Sequence, residues 1–305
     1  MSEGNAFGGV EAEDLVRRQS FEVEGPVELD LGIGAGRIEV RLVEEPGVHV
    51  EVRHDSREAH PFAEGVSSLM SWIGTQFGNL EPTEGSLTAE AVRQTRIDYT
   101  PGRLVVRAPK DMHLRNIGVA VSVRAPVGSH VSARSSSGAL RVSGSAGRLQ
   151  LGTGTGRVET DQATGTAKVD SGSGVVRLGA MTEGVRVKTG GGDVEIAAVG
   201  GAGTVVTGGG DVWLGTVDGD VLVRTGSGNL TIANALAGQL ELHSGSGAIR
   251  IGIRPGNRAE IDLSSGSGEA RSDLDLSTTP PETAPPLRIR GRTGSGSALV
   301  TTALD

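Results

Sequence analysis

Several groups of residues in this 305-residue chain have types and spacing that could do chemistry. Gly32-Ile33-Gly34-Ala35-Gly36-Arg37 has the outline of a phosphate-cradling loop. It lacks the last glycine of the dinucleotide fingerprint, a strand pattern rather than a helix follows it, and no Gly-Lys-Ser/Thr triplet occurs anywhere, so these are turn glycines. Gly190-Gly191-Gly192-Asp193 and Gly208-Gly209-Gly210-Asp211 are close to the calcium-binding nonapeptide. That motif needs a residue between the last Gly and the Asp, and it must recur in both halves of each coil.

Paired hydroxyls at Thr153 and Thr155, Ser171 and Ser173, Thr225 and Ser227, and Ser244 and Ser246 have the outline of an ice-binding face. The glycine between each pair favours a tight corner instead, in which the hydroxyls satisfy backbone groups. His54, Asp55, Glu58 and His60 could ligate a metal, but four polar residues in a loop make a weak site. His243, beside Glu241, is the one histidine of the regular array and reads as a solvated surface residue rather than an acyltransferase base. Trp213 is a lone aromatic on the surface of the array. We therefore assign no catalytic, cofactor-binding or metal-binding residue, and expect no enzyme.

The elements that position these groups follow from one period. The fourth residue of each Ser/Thr-Gly cluster falls at Gly138, Gly156, Gly174, Gly192, Gly210 and Gly228, always 18 apart, with looser spacing to Gly247, Gly268 and Gly296. Alternating apolar pairs follow the clusters, as at Val176 and Leu178 or Val212 and Leu214, and a second pair follows later, as at Val185 and Val187. Period two means a strand with one buried face. A further apolar residue recurs between them at Met181, Val199 and Val217, which predicts a three-sided coil. Eighteen residues cannot bury their own apolar side, so coils must stack, each strand pairing in parallel with its equivalent in the next. The fold class is all-β: a single-stranded parallel β-helix, or β-solenoid, with 18-residue coils. Glu159, Arg177 and Glu195 then line up as a solvated ladder of alternating sign.

Composition agrees, since 49 glycines, seven aromatics and 36% hydrophobic residues suit a narrow, often-turning core. The net charge of −8 with basic residues scattered along the sequence argues against nucleic acid as a partner. No cysteine is present, so disulfides and thiolate metal sites are excluded. No signal peptide or transmembrane pattern is found, which predicts a cytoplasmic protein, with envelope association through a partner.

Residues 1–19 read as an N-terminal tail, 20–134 as irregular coils with a helical insertion at 54–97, and 135–305 as the regular array. Within the insertion Phe62, Val66, Leu69, Met70, Ile73 and Phe77 share a helical face, with Pro61 at its start and Gly78 at its end. A second helix is expected from Ser86, as its N-cap, to about Gln94. This insertion is a cap for an open end, or a docking surface on which Phe62, Leu69, Trp72, Ile73 and Phe77 are the candidate partner-binding residues. A terminal strand at Leu299 to Leu304 has no evident cap.

Clusters such as Ser171-Gly172-Ser173-Gly174, followed by Val175-Val176-Arg177-Leu178, resemble an adhesin-like bacterial family of unknown function that carries β-strand repeats and is similar to bactofilin-like solenoids. The resemblance covers residues 20 to 305. It implies a structural scaffold or protein-interaction solenoid, self-associating through its ends. Its alternative implication is an adhesin-like module or stress accessory of the cell envelope.

Overall fold

A computed structural model describes residues 16–55, 84–274 and 285–303. The described strands join into one all-β array of 24 strands. The N-terminal part holds β1 (Val16–Phe21), β2 (Glu28–Ile33), β3 (Ala35–Val43) and β4 (Val48–His54), then helix α1 (Glu84–Gln94). Next come β5 (Arg96–Thr100), β6 (Arg103–Arg107), β7 (Gly118–Pro126), β8 (His130–Ser135) and β9 (Ala139–Ala146). Nine strands, β10 to β18, fill Leu149 to Thr225. The chain ends with β19 (Leu230–Ser244), β20 (Ile249–Ile253), β21 (Ala259–Ser265), β22 (Ala270–Ser272), β23 (Leu287–Thr293) and β24 (Ala298–Thr302).

The 18-residue period becomes register. Val176 pairs with Val194 and then Val212, while Val185 pairs with Gly203 and then Val221. These pairings form two parallel ladders, here A and B, and β19 is long enough to run through both. The inward residues Val176, Leu178, Met181, Val185 and Val187 are all buried, at about 1.5–3 kcal/mol for each large side chain. Met181 lies at the end of the same strand as Val176 and Leu178, three residues beyond Leu178, where the chain turns.

Pairing is not parallel throughout. β1 and β4, β4 and β7, and β5 and β6 are antiparallel. For β5 and β6 the reason is local, because they are joined by the short turn through Gly102, whose φ of 82° suits a tight hairpin. These strands close one end. Phe21 of β1 stacks on Tyr99 of β5 with ring centroids 4.6 Å apart, tying the outermost strand of ladder A to that of ladder B. Helix α1 buries Ala89, Ala91 and Val92, and Arg17 donates to the carbonyls of Val92, Arg93 and Thr95 at its C-terminal end. The helix starts at Glu84, so Ser86 lies inside it and is not its cap.

Chain order and stacking order differ at both ends. β2 lies between β6 and β8, and β3 between β7 and β9. At the far end β23 lies between β19 and β21, and β24 between β20 and β22. The terminal strand is therefore flanked on both sides, and the expectation that it forms an uncapped end is corrected. The outer coil at that end is Ala259 to Ser272, whose inward residues Ile261 and Leu263 are only partly buried.

Candidate ligand-binding face

The first hydroxyl of each pair singled out by spacing turns to the backbone. Gly156 N–H donates to Thr153 Oγ1 at 3.0 Å, and that hydroxyl donates to the Gly138 carbonyl of the preceding coil at 3.3 Å. Thr225 and Ser244 repeat the pattern. Thr155, Ser173, Ser227 and Ser246 stay exposed at the corner. Asp193 accepts the N–H of Asp211 at 2.9 Å, and Asp211 accepts that of Asn229 at 2.7 Å. These carboxylates serve coil stacking, and the described residues hold no cluster of three metal-ligating side chains. Asp55 is buried 3.6 Å from Arg37 Nε, while Glu58 and His60 lie outside the described residues.

The outer face of ladder B has a different character. Near the closed end it forms a groove of about 320 Å³ lined by residues that include Asp30, Arg103, Arg107, His130, Arg134, Arg148 and Gln150. Strand pairing sets this geometry. Gly32 of β2 sits between Arg107 of β6 and Arg134 of β8, and Gly152 follows Arg134 in the next strand. A side chain at Gly32 would meet Arg107, whose Nη1 is 3.0 Å from where its Cβ would stand, and Arg134 Cγ lies 3.6 Å from the equivalent point at Gly152. Gly32 thus gives the Arg107 guanidinium room to lie along the face, and Gly152 gives room to the Arg134 stem.

Asp30 holds two of the arginines, at 2.7 Å from Arg107 Nη2 and 3.0 Å from Arg103 Nη2. Burial on its own would raise the Asp30 pKa, but hydrogen bonds from Arg107 and Arg103, with their charges, outweigh it and hold the carboxyl below its ordinary value. Arg134 and Arg148 are exposed and make no ion pair among the described residues. His130 accepts the Arg148 backbone N–H at Nδ1, 3.0 Å away, which leaves Nε2 to carry the ring proton toward solvent.

The same register continues along the solenoid. Beyond Gly152 the row runs through Asp170, Lys188 and Val206 to Arg224, His243 and Arg292. Basic residues scattered in sequence are thus gathered into one line, with Asp170 as the only carboxylate among those positions. The outer face of ladder A instead alternates in sign, Arg141, Glu159, Arg177, Glu195, with Arg177 Nε 3.1 Å from Glu195. Trp213 follows Glu195 in that row and is 40% exposed.

Phe62, Leu69, Trp72, Ile73 and Phe77 lie outside the described residues. The groove residues were not singled out by sequence. The available signal was glycine at outward strand positions, Gly32 and Gly152, flanked at coil spacing by Arg134.

A family model described as Toastrack DUF4097 matches residues 79–297. No curated protein matches the chain. Among solved structures, the chain is similar to an adhesin candidate from Bacteroides fragilis NCTC 9343 at 12% identity and a TM-score of 0.40, covering 93% of this chain and 96% of that one. It is also similar to a lipid-binding candidate from Parabacteroides distasonis ATCC 8503 at 12% identity and a TM-score of 0.34, covering 93% and 96%. A third likeness is to an adhesin candidate from the same organism at 10% identity and a TM-score of 0.30, covering 94% and 96%.

Proposed function

Because this chain belongs to the Toastrack DUF4097 family, we propose that it is a non-enzymatic, adhesin-like binding module in which a rigid β-solenoid presents the outer face of ladder B to a ligand. The observation that carries this reading is the pair Arg134 and Arg148. Among the described residues neither guanidinium group has a carboxylate partner, on a platform where Asp30 has already fixed Arg103 and Arg107. Cations held on strands rather than loops keep their geometry between encounters and favour binding. Proton-transfer chemistry is poorly served, since His130 Nδ1 is engaged by backbone and Asp30 by two guanidinium groups. No cofactor enters this reading.

The test is retention of cell-envelope material from the host by the immobilised protein. The R134E/R148E double variant should lose that retention, and equal retention by both proteins would defeat the reading. No helix among the described residues is long and apolar enough to cross a membrane. We take the protein to work in the cytoplasm or at the envelope through a partner, and fractionation of the host decides between the two.

A second reading, a self-associating scaffold of the bactofilin-like kind, is favoured by the asymmetry of the ends. One end is closed by antiparallel strands, α1 and the Phe21–Tyr99 stack, whereas Ile261 and Leu263 at the other are partly buried. The three-residue step between the buried positions Leu178 and Met181 of one strand, in place of a two-residue one, favours a three-sided coil for such a rod. Sedimentation over rising concentration tests it, and a strict monomer defeats it.

A further inference from the structure

We infer that the ladder B face binds a linear polysaccharide bearing carboxylates, laid along the solenoid axis. This rests on the binding-module reading and adds the ligand's chemical class. Three features point to an extended polyanion. The first is alignment: parallel register puts Arg107, Arg134, Lys188, Arg224, His243 and Arg292 in one row along the stack, with Gly32, Gly152, Asp170 and Val206 at the positions between them. With strands about 4.8 Å apart, Arg107 and Arg134 are two strands, or roughly 10 Å, from each other, as are Lys188 and Arg224. A straight cationic line of that kind suits a ligand whose charges also recur along a line, and it suits a compact anion poorly.

The second feature is depth. With no side chain at Gly32, the Arg107 guanidinium lies down over that strand and lines the groove by its edge and not only its tip, and Gly152 leaves room beside the stem of Arg134. The planar fork of arginine matches a carboxylate in bidentate fashion. The third feature is the company these arginines keep. Ser132, Gln150 and the Nε2–H of His130 offer neutral hydrogen-bonding groups among the charges. Asp30 and Glu28 at the same groove can accept from hydroxyl groups. A sugar polymer supplies hydroxyls and carboxylates together. Single-stranded nucleic acid draws much of its affinity from bases stacked on aromatic side chains, and the row from Arg107 to Arg292 contains no Phe, Tyr or Trp.

The experiment is titration of the full chain with polygalacturonate at low and physiological salt, with neutral dextran and single-stranded DNA as comparisons. Polygalacturonate should bind, more weakly as salt rises, and dextran should not. R134E/R148E should weaken the binding at least tenfold, while R177E on the ladder A face leaves it within about twofold. Matched far-UV dichroism and melting curves establish that the variants fold, and R134Q/R148Q, with a smaller loss expected, serves if the charge reversal does not. Oligogalacturonates too short to span two coils should bind less tightly than the polymer. No binding of polygalacturonate, binding that ignores R134E/R148E, or equal binding of DNA would each overturn the proposal. If R134E/R148E abolishes retention of envelope material yet polygalacturonate does not bind, the binding face survives and the carboxylated polysaccharide is the part that fails.

Discussion

The hydroxyl of Thr207 donates to the carbonyl of Gly192, fifteen residues back and one coil away, at 3.4 Å, and accepts the N–H of Gly210 at 3.1 Å. One buried oxygen thereby joins two coils and satisfies the corner of its own. Replacing Thr207 with Val keeps the shape and the methyl but strands a buried N–H, which costs about 1–3 kcal/mol. Thr207→Ser keeps both bonds and should lose less than half as much. Urea unfolding with an unchanged m-value is the measurement.

The corner glycines divide into two kinds, and substitution should separate them. A Cβ at Gly156 would run into the carbonyl of Gly138 in the coil below, whereas nothing lies within 4 Å of one at Gly191. Gly156→Ala must push adjacent coils apart and should destabilise by more than ~2 kcal/mol. Gly191→Ala should be neutral within about 0.5 kcal/mol. A melting-temperature comparison of the two proteins decides it.

That contrast bears on what the sequence can reveal. The corner and the buried face are local properties, so the interval from Gly138 to Gly228 and pairs such as Val176 and Leu178 were legible, and coil stacking followed from them. Partner choice is not local. The alternation of Leu287 and Ile289 tells which side of the strand faces the core, but not that the strand inserts between β19 and β21. The groove was hidden for a similar reason. Asp30 and Arg107 are far apart in sequence and meet only because β2 pairs with β6, which no repeat announces. Gly32 and Gly152 carried a hint, yet among 49 glycines two in outward strand positions do not stand out.

Asp30 gives the groove a pH signature. Burial would raise its pKa, but the arginine pair more than compensates and holds it below the ordinary aspartate value of about 3.9. A carboxyl depressed in the folded state stabilises fully above its unfolded pKa, and that contribution fades as pH falls through the folded one. Asp30→Asn should therefore lower stability near neutral pH, by no more than ~1 kcal/mol because the pair is partly exposed. The gap from wild type should close as the pH falls below 4. Chemical denaturation at several pH values reads it, and a gap that widens in acid contradicts the assignment.

Arg17 ties the end cap together, since its guanidinium donates to the carbonyls of Val92, Arg93 and Thr95 where α1 stops. Those carbonyls have no partner further along a helix that ends there. Arg17→Ala should speed amide exchange in α1 by an order of magnitude or more while leaving β10 to β18 protected. Arg17→Lys should recover part of the loss, because all three contacts come from one nitrogen, Nη1, which an ammonium group with three N–H donors can replace on a slightly shorter side chain. Hydrogen exchange resolved by residue distinguishes a frayed helix from general destabilisation.

The stacking order at the far end predicts which deletions the protein can survive. β23 and β24 are last in sequence but lie inside the stack, so removing residues 285–305 takes away the floor on which Ala259 to Ser272 rests as well as the neighbour of β19 and β20. That truncation should unfold the outer coil Ala259 to Ser272 and promote aggregation through the exposed edges of β19 and β20. Deleting the longer segment 255–286 takes away the outer coil of β21 and β22 and leaves β23 and β24 in place. It leaves Arg254, Leu287 and Arg288 to connect Ile253 with Ile289, the same three-residue length that Thr182 to Gly184 provides between Met181 and Val185. The larger deletion should therefore be the milder one, keeping a cooperative melt and the wild-type β signal in far-UV dichroism. If instead the 285–305 truncation melts like wild type, the inserted position of the last coil is wrong.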